Sequence, residues 1–395
     1  MNTRDIFLRH NAQTSPAPIG LHITSAKGNY LYDVNGKAYL DLIGGISVCN
    51  MGHCHPDVVA AIQKQAGEYL HIMVYGELVQ SPQTQYAALL AANLPQQLSC
   101  VYFTNSGAEA VEGAIKLARR ITGKTDIIAC NNSYHGSTTG ALSIIGDEYW
   151  RNAYRPLLPG VWHYNYNSDE LINAINKDTA CVIIETVQAE AGIIESKQAW
   201  LQALRKKCDE TGTLLVFDEI QCGFGRTGKL WGFEHYGVIP DVLMLGKALG
   251  GGMPMGAFIS SYDNMQAFTN NPVLGHISTF GGHPVCCAAG MAAMQALLDT
   301  GIVNEIAEKE ALFLQGLNHT GIIAVRSKGL LIAVELANPQ QVLTLVEKCI
   351  DKGLFTDWFL FAQNCLRIAP PLTITKNEIA ESCRIITSSL SDMGL

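Results

Sequence analysis

The sequence predicts an α/β fold: a mostly parallel sheet covered by helices, followed by a second, smaller domain. Three features predict it. The runs CVYFT (100–104), DIIAC (126–130), ACVIIE (180–185), TLLVFD (213–218) and DVLMLG (241–246) are continuously apolar rather than alternating, as strands covered on both faces should be. Segments with helical spacing lie between them, and strands alternating with helices indicate parallel pairing. From about residue 290 the pattern changes to a long helix, short strands and further helices.

Taken in order, NYLYDVNGKAYLDL (29–42) reads as two short strands around Asn35-Gly36. Residues 56–94 read as helical. GAEAVEGAIKLARRI (107–121) is a helix that puts Ala110, Ala114, Leu117, Ala118 and Ile121 on one side. Beyond the sheet, AAGMAAMQALLDTG (288–301) reads as a helix, and LLIAVEL (330–336) and LRIAPPLTI (366–374) as short strands. We assign residues 1–50 as an N-terminal segment joining the smaller domain, 51–288 as the large domain and 289–395 as the C-terminal small domain. A chain of 395 residues has room for both.

Hydrophobic residues make up 48% of the chain and charged residues 16%, which excludes a disordered protein. So few charges point to surface hidden in a subunit interface. The net charge is −8, with no basic patch for nucleic acid. The twelve cysteines show no C-x-x-C pairs, and MNTRDIFLRH is not a basic-then-apolar leader. No apolar run approaches a membrane span. These features describe a reduced, cytoplasmic protein with no membrane role.

In open α/β sheets, ligands bind outside the carboxyl ends of the strands. Four such ends carry polar residues here: Thr104 to Gly107, Glu185 to Glu190, Asp218 to Gln221, and Lys247. Asn105-Ser106-Gly107-Ala108 opens a helix, whose free N–H groups and partial positive charge make a phosphate cradle. An ordinary N-cap would use the same residues. Asp218 ends a buried strand, where a carboxylate is costly without a cationic partner. A protonated pyridine nitrogen is one such partner; a salt bridge or a cap is the plain alternative. Glu219 points to the opposite face. Lys247 follows a buried strand and precedes a glycine-rich turn. Desolvation there would lower its pKa and free the amine as a nucleophile.

Two other patterns lack context. Gly223-Phe-Gly-Arg-Thr-Gly228 matches the dinucleotide fingerprint G-x-G-x-x-G, but the next segment, KLWGFEHYGVIP (229–240), has no helical period and ends in proline. His53-Cys54-His55 resembles a metal-ligand cluster, yet Pro56 comes directly after it and a turn before a helix accounts for it. No metal is expected.

The motifs NSGAEA (105–110), YHGST (134–138), ETVQAEAG (185–192), VFDEIQCGFGRTG (216–228), PDVLMLGKALGGGMPMGA (240–257), STFGGHP (278–284) and LRIAPPL (366–372) resemble one family in order and spacing. It is the class III aminotransferases, of the ornithine, acetylornithine and 4-aminobutyrate type. The resemblance runs from about Gly28 to Leu372. It implies pyridoxal-phosphate fold type I, the aspartate aminotransferase-like fold, with a large cofactor-binding domain and a smaller α+β domain. It implies pyridoxal 5′-phosphate as cofactor, with Ser106, Gly107 and Ala108 on its phosphate. Tyr134 would stack on the ring, with His135 beside it. Asp218 would pair with the pyridine nitrogen and Gln221 with the ring hydroxyl. Lys247 would be the Schiff-base lysine and proton shuttle. Thr279 would reach the phosphate of the neighbouring subunit, making the unit a homodimer. Arg367 would bind a substrate carboxylate, and Glu190 would pair with Arg367 when no such carboxylate is present.

The implied reaction moves an ω-amino group from a donor such as acetylornithine, succinylornithine, ornithine or 4-aminobutyrate to 2-oxoglutarate, in ping-pong fashion. The chain also departs from the pattern. Ser137 stands where acetylornithine and ornithine members carry a carboxylate-recognising arginine, a loss that Arg151 or Arg155 would have to make good. Ile46 stands at a substrate position where ornithine-using members tend to have an aromatic. Thr186 and Ala189 replace the usual proline and glycine. An ω-amino acid:pyruvate aminotransferase is therefore a near alternative. A mutase or epimerase of the same fold, independent of any oxo-acid acceptor, is a further one.

Overall fold

The computed structural model describes residues 2–395. After a short helix, Thr3–His10, comes an antiparallel meander of β1 (Ile23–Lys27), β2 (Tyr30–Asp33) and β3 (Ala38–Asp41). Its second turn is the expected one at Asn35-Gly36, where Gly36 takes a φ of 80°. Two helices come next, Pro56–Glu68 and Ser81–Ala92, each with proline in its first turn. The single helical stretch expected over 56–94 is thus broken. Residues 69–80 form no regular element and leave Leu70, Ile72, Met73, Leu78 and Val79 exposed. Their side chains do not face this chain's own core, so the apolar pattern there was not a helix pattern.

Next come β4 (Cys100–Thr104), β5 (Asp126–Cys130), β6 (Val161–Tyr164) and β7 (Thr179–Glu185). The small hairpin β8 (Val187–Gln188) and β9 (Ile194–Glu195) separates them from β10 (Leu214–Asp218), β11 (Val242–Leu245) and β12 (Gly256–Ser260). Seven of these strands form one sheet in the order β4-β12-β11-β10-β7-β5-β6. Neighbours from β11 to β6 are parallel; β12 runs against both β11 and β4. The five expected strands are present, while β6 and β12 are additions. Strands β7, β10 and β11 are buried almost throughout, which explains their continuous apolar sequence.

The helix Gly107–Thr122 packs its Ala110, Ala114, Leu117 and Ala118 face on this sheet. The helix Pro284–Thr300 packs on Pro56–Glu68 and Ser81–Ala92. Beyond it, β13 (Ala324–Lys328), β14 (Leu331–Glu335), β15 (Leu354–Phe355), β16 (Asp357–Trp358) and β17 (Cys365–Ile368) complete the strands. Four of them make an antiparallel sheet, β13-β14-β17-β16. β15 instead pairs in parallel with β3, so the N-terminal meander closes on a strand from the far end of the chain. The helices Pro339–Asp351 and Lys376–Ser391 pack together beside these sheets. Among the described residues no single helix is long and apolar enough to cross a membrane, and all twelve cysteines are free.

Candidate active site

Asp218 and Glu185 end adjacent parallel strands and stand directly opposite in register. Asp218 is buried. Its Oδ1 accepts from the Ile220 N–H at 3.0 Å, and its Oδ2 lies 2.6 Å from His135 Nδ1. A carboxylate only accepts, so Nδ1 carries the proton. Burial lowers the basicity of His135, but the hydrogen bond and charge of Asp218 outweigh it and leave the imidazole's pKa raised. Glu185 accepts from the backbone N–H groups of Tyr134 (3.2 Å) and Ala189 (3.1 Å). Burial pushes its carboxyl up to about 7; the positive charge of His135 opposes this and the charge of Asp218 adds to it.

Lys247 follows β11 on the same sheet edge, and its Nζ donates to Gln221 Oε1 at 2.7 Å. Burial lowers its pKa, with the negative charge of Glu190 opposing. Its backbone is left-handed, at a φ of 48°. Gly246 precedes it because the chain passes tightly there: a Cβ would come 3.1 Å from Ile220 and 3.4 Å from the Gly107 Cα.

Ser106 caps the helix Gly107–Thr122, its Oγ accepting from the Glu109 N–H at 3.2 Å. The Glu109 carboxylate turns away to the Asn105 backbone and side chain. The N–H groups that open this helix therefore face the cavity without an acidic side chain in front of them. That cavity, of about 350 Å³, is lined by Gly107, Tyr134, His135, Asp218, Gln221 and Lys247 among others. At its rim the Tyr134 hydroxyl and Ser137 Oγ lie 3.1 Å apart.

A second cluster adjoins it. Arg367, on β17, meets Glu190 end-on: Nη1 donates to Oε1 at 2.7 Å and Nη2 to Oε2 at 3.1 Å. Both residues are buried. Nη2 also donates to the Trp358 carbonyl at 2.7 Å, and the guanidinium lies over the Phe359 ring. Asp357 Oδ1 is 2.9 Å from Arg367 Nε. Burial lowers the pKa of Arg367, but Glu190 and Asp357 together hold it above the ordinary arginine value.

These residues fit the pyridoxal phosphate implied by the resemblance. Gln221 Nε2 and His135 Nε2 are buried at the cavity without hydrogen-bond partners. Asp218 presents a carboxylate at its floor, and a helix N-terminus supplies donors for a phosphate. Ser106, Gly107, Ala108, Tyr134, His135, Asp218, Gln221 and Lys247 thus come together, with Glu190 and Arg367 beside them. Thr279 does not line this cavity. It is exposed, next to Ser278, whose Oγ accepts from Asn105 Nδ2 at 3.1 Å. Ile46 is also exposed, on a left-handed turn outside the cavity lining.

Arg151 and Arg155 do not replace the missing arginine. Arg151 donates to the Ser143 and Ile145 carbonyls and pairs with Glu148, which also holds Arg155. Glu185 stood among the polar strand ends in the sequence without an assigned role, and Asp357 was not singled out at all. Glu185 carried a signal, as a carboxylate closing a buried strand. Asp357 carried none, because its position depends on the pairing of β16 with β17.

The two remaining sequence patterns also have places. Arg226, in the glycine-rich run, is fully buried and donates to the Pro370 carbonyl, the Leu330 carbonyl (3.2 Å) and Asn50 Oδ1 (2.5 Å). His53 bonds Asp41 at 2.8 Å, and His55 directly precedes the helix Pro56–Glu68.

Comparison with known proteins agrees with this geometry. The sequence profile of the family described as aminotransferase class-III matches residues 11–390. The chain is similar to acetylornithine aminotransferase of Methanosarcina mazei, at 40% identity over 91% of this chain and 89% of that protein. It is similar to putrescine aminotransferase of Pectobacterium atrosepticum, at 38% identity over 89% of this chain and 78% of that one. Its fold superposes on ornithine aminotransferase from Toxoplasma gondii, in which PLP partly occupies the active site. The TM-score is 0.90 at 29% identity, covering 99% of this chain and 93% of that one.

Proposed function

The chain belongs to the class-III aminotransferases, and from that premise we propose that it transfers a terminal amino group from an ω-amino donor to 2-oxoglutarate. Its cofactor is pyridoxal 5′-phosphate. The donor proposed first is N-acetylornithine, after the relatives at 37–40% identity. The observation that carries the reading is the buried Glu190–Arg367 pair beside Lys247.

When bound, the cofactor supplies an electron sink that makes a proton on the substrate carbon labile. The N–H groups of Gly107 and Ala108, with Ser106, would hold the phosphate. Asp218, oriented by His135, would keep the pyridine nitrogen protonated. Gln221 Nε2, which has no partner of its own, would donate to the ring hydroxyl, and Tyr134 would cover the ring. Lys247 would hold the cofactor at rest, and its freed Nζ would carry the proton to and from the substrate carbon. The lowered basicity of its amine suits it to both tasks.

Both substrates use one site, which gives ping-pong kinetics. The donor's reacting end carries no carboxylate, so Glu190 stays closed on Arg367. The oxo acid brings one, and Glu190 gives way to it. The unit is a cytoplasmic homodimer. In support, Val79 and Phe280 are exposed apolar side chains, and His71 packs on Phe280; Thr279, next to Phe280, would reach the phosphate site of the other subunit.

A second reading is favoured by one observation. Ser137 offers a hydroxyl instead of a cation, and Arg151 and Arg155 are engaged elsewhere. A diamine donor, as in the putrescine relative, would need no carboxylate receptor there. Stopped-flow absorbance separates the readings: the donor that bleaches the cofactor fastest among acetylornithine, ornithine, 4-aminobutyrate and putrescine names the reaction. In Glu190→Gln the amine half-reaction is expected to slow roughly tenfold more than the 2-oxoglutarate half-reaction. Equal losses in both halves would remove the switch from the mechanism.

A further inference from the structure

Arg367 has two carboxylate partners, and they are mounted differently. Glu190 sits in the turn between β8 and β9 and takes the outer fork of the guanidinium. Asp357 sits on β16, directly across from Arg367 in strand register, and approaches Nε from the side. At 2.9 Å the two are in charge contact. Yet neither Asp357 Oδ1 nor Arg367 Nε has an aligned hydrogen bond, so charge rather than N–H direction holds the pair. Withdrawal of the Glu190 side chain would leave Asp357 in place, because Asp357 is fixed by the pairing of its strand with the one that carries Arg367.

The geometry assigns Asp357 a role as a permanent counter-charge that sets how tightly Arg367 holds a substrate carboxylate. This rests on the reading of Arg367 as the carboxylate receptor. With Glu190 withdrawn, an incoming carboxylate meets a guanidinium already partly neutralised, so it binds less tightly than it would to a free arginine and is released more readily. One site serving two half-reactions needs that release, because Glu190 must return before the next amine enters. Asp357 is therefore a specificity-determining residue, acting through Arg367 rather than on the reacting atoms.

The charged groups facing Asp357 are Arg367 from β17, Glu190 from the hairpin turn and Asp41 from the end of β3. Burial drives its carboxyl up to about 6; Arg367 pulls against this, and the charges of Glu190 and Asp41 add to it. With 23% of its side chain exposed, it exchanges protons with solvent. Above that pKa Asp357 is charged and weakens the receptor; below it Asp357 is neutral and Arg367 acts at full strength. Carboxylate affinity in the wild type should therefore rise as pH falls through about 6.

The test is calorimetric titration of the holoenzyme with glutarate, a dicarboxylate without the reacting carbonyl. Asp357→Asn is expected to bind glutarate roughly tenfold tighter than wild type near neutral pH, the effect of one unit charge a few ångströms away in a partly solvated site. The gap between wild type and variant should close as the pH is lowered through about 6, the titration of glutarate itself being common to both. In turnover, the KM for 2-oxoglutarate should fall with little change in the amine half-reaction. Asp357→Ser should repeat the tightening if the Asn variant misfolds.

Arg367→Lys separates this inference from the reading beneath it. If Arg367→Lys weakens glutarate binding but neither Asp357 variant strengthens it, only the role of Asp357 is overturned. If Arg367→Lys leaves the affinity unchanged, the carboxylate receptor falls and this inference falls with it.

Discussion

Lys247 takes a backbone conformation that its own Cβ disfavours. A φ of 48° on a residue with a side chain costs about 1–3 kcal/mol and persists only where the surroundings fix it. Here the surroundings are the tight approach of Gly246 to Gly107 and the hydrogen bond from Nζ to Gln221. The strain turns the amine into the cavity at the end of a buried strand. Borohydride reduction of the holoenzyme, followed by peptide mass mapping, is expected to fix the cofactor mass on the peptide containing Lys247. In Lys247→Arg, which keeps the charge but not the nucleophile, no lysine should be labelled. Labelling of any other lysine in the wild type would move the site. Residues of this kind were legible in the sequence, because a lysine and an aspartate closing apolar strands contradict their own flanks. Arg367 and Glu190 had no such local contrast, and their positions came only from the family resemblance.

Among the elements, legibility tracks whether a strand's reason for existing lies within its own sequence. β4, β5, β7, β10 and β11 announce themselves as unbroken apolar runs. β12 does not: GAFIS comes after a Gly-Met-Pro stretch, and its register against β4 is fixed by a distant contact. A Cβ at Gly256 would lie 2.0 Å from the Ser106 carbonyl oxygen, so glycine alone lets the strand close on the helix cap. Gly256→Ala is expected to cost about 1–3 kcal/mol, read as a lowered melting temperature, and to weaken cofactor retention by displacing Ser106. A variant that melts like wild type and keeps its cofactor would show that the cap tolerates the shift. The break at residues 69–80 was illegible for the opposite reason. Its apolar residues mimic a core pattern while serving a surface, and Asp357 was hidden because a pairing between two short strands places it.

At the scale of the molecule, Leu70, Leu78, Val79, Val273 and Phe280 are large apolar side chains left exposed by this chain, which fits the proposed subunit interface. Light scattering is expected to give twice the chain mass. Val79→Asp should shift it to the monomer and release cofactor, whereas Thr279→Ala should loosen cofactor without changing the mass. A wild-type monomer with full activity would refute the shared site. The pairing of β3 with β15 bears on how this chain is born. The meander at residues 23–41 cannot complete its sheet until Leu354 and Phe355 have been synthesised, and Asn29 waits longer still for Thr373 and Glu378. At ribosomal speeds of about 5–20 residues per second, those first strands spend tens of seconds with an open edge. During that interval the unpaired edge is open to any other strand that meets it, so the N-terminal meander is the part of the chain most exposed to mispairing during synthesis.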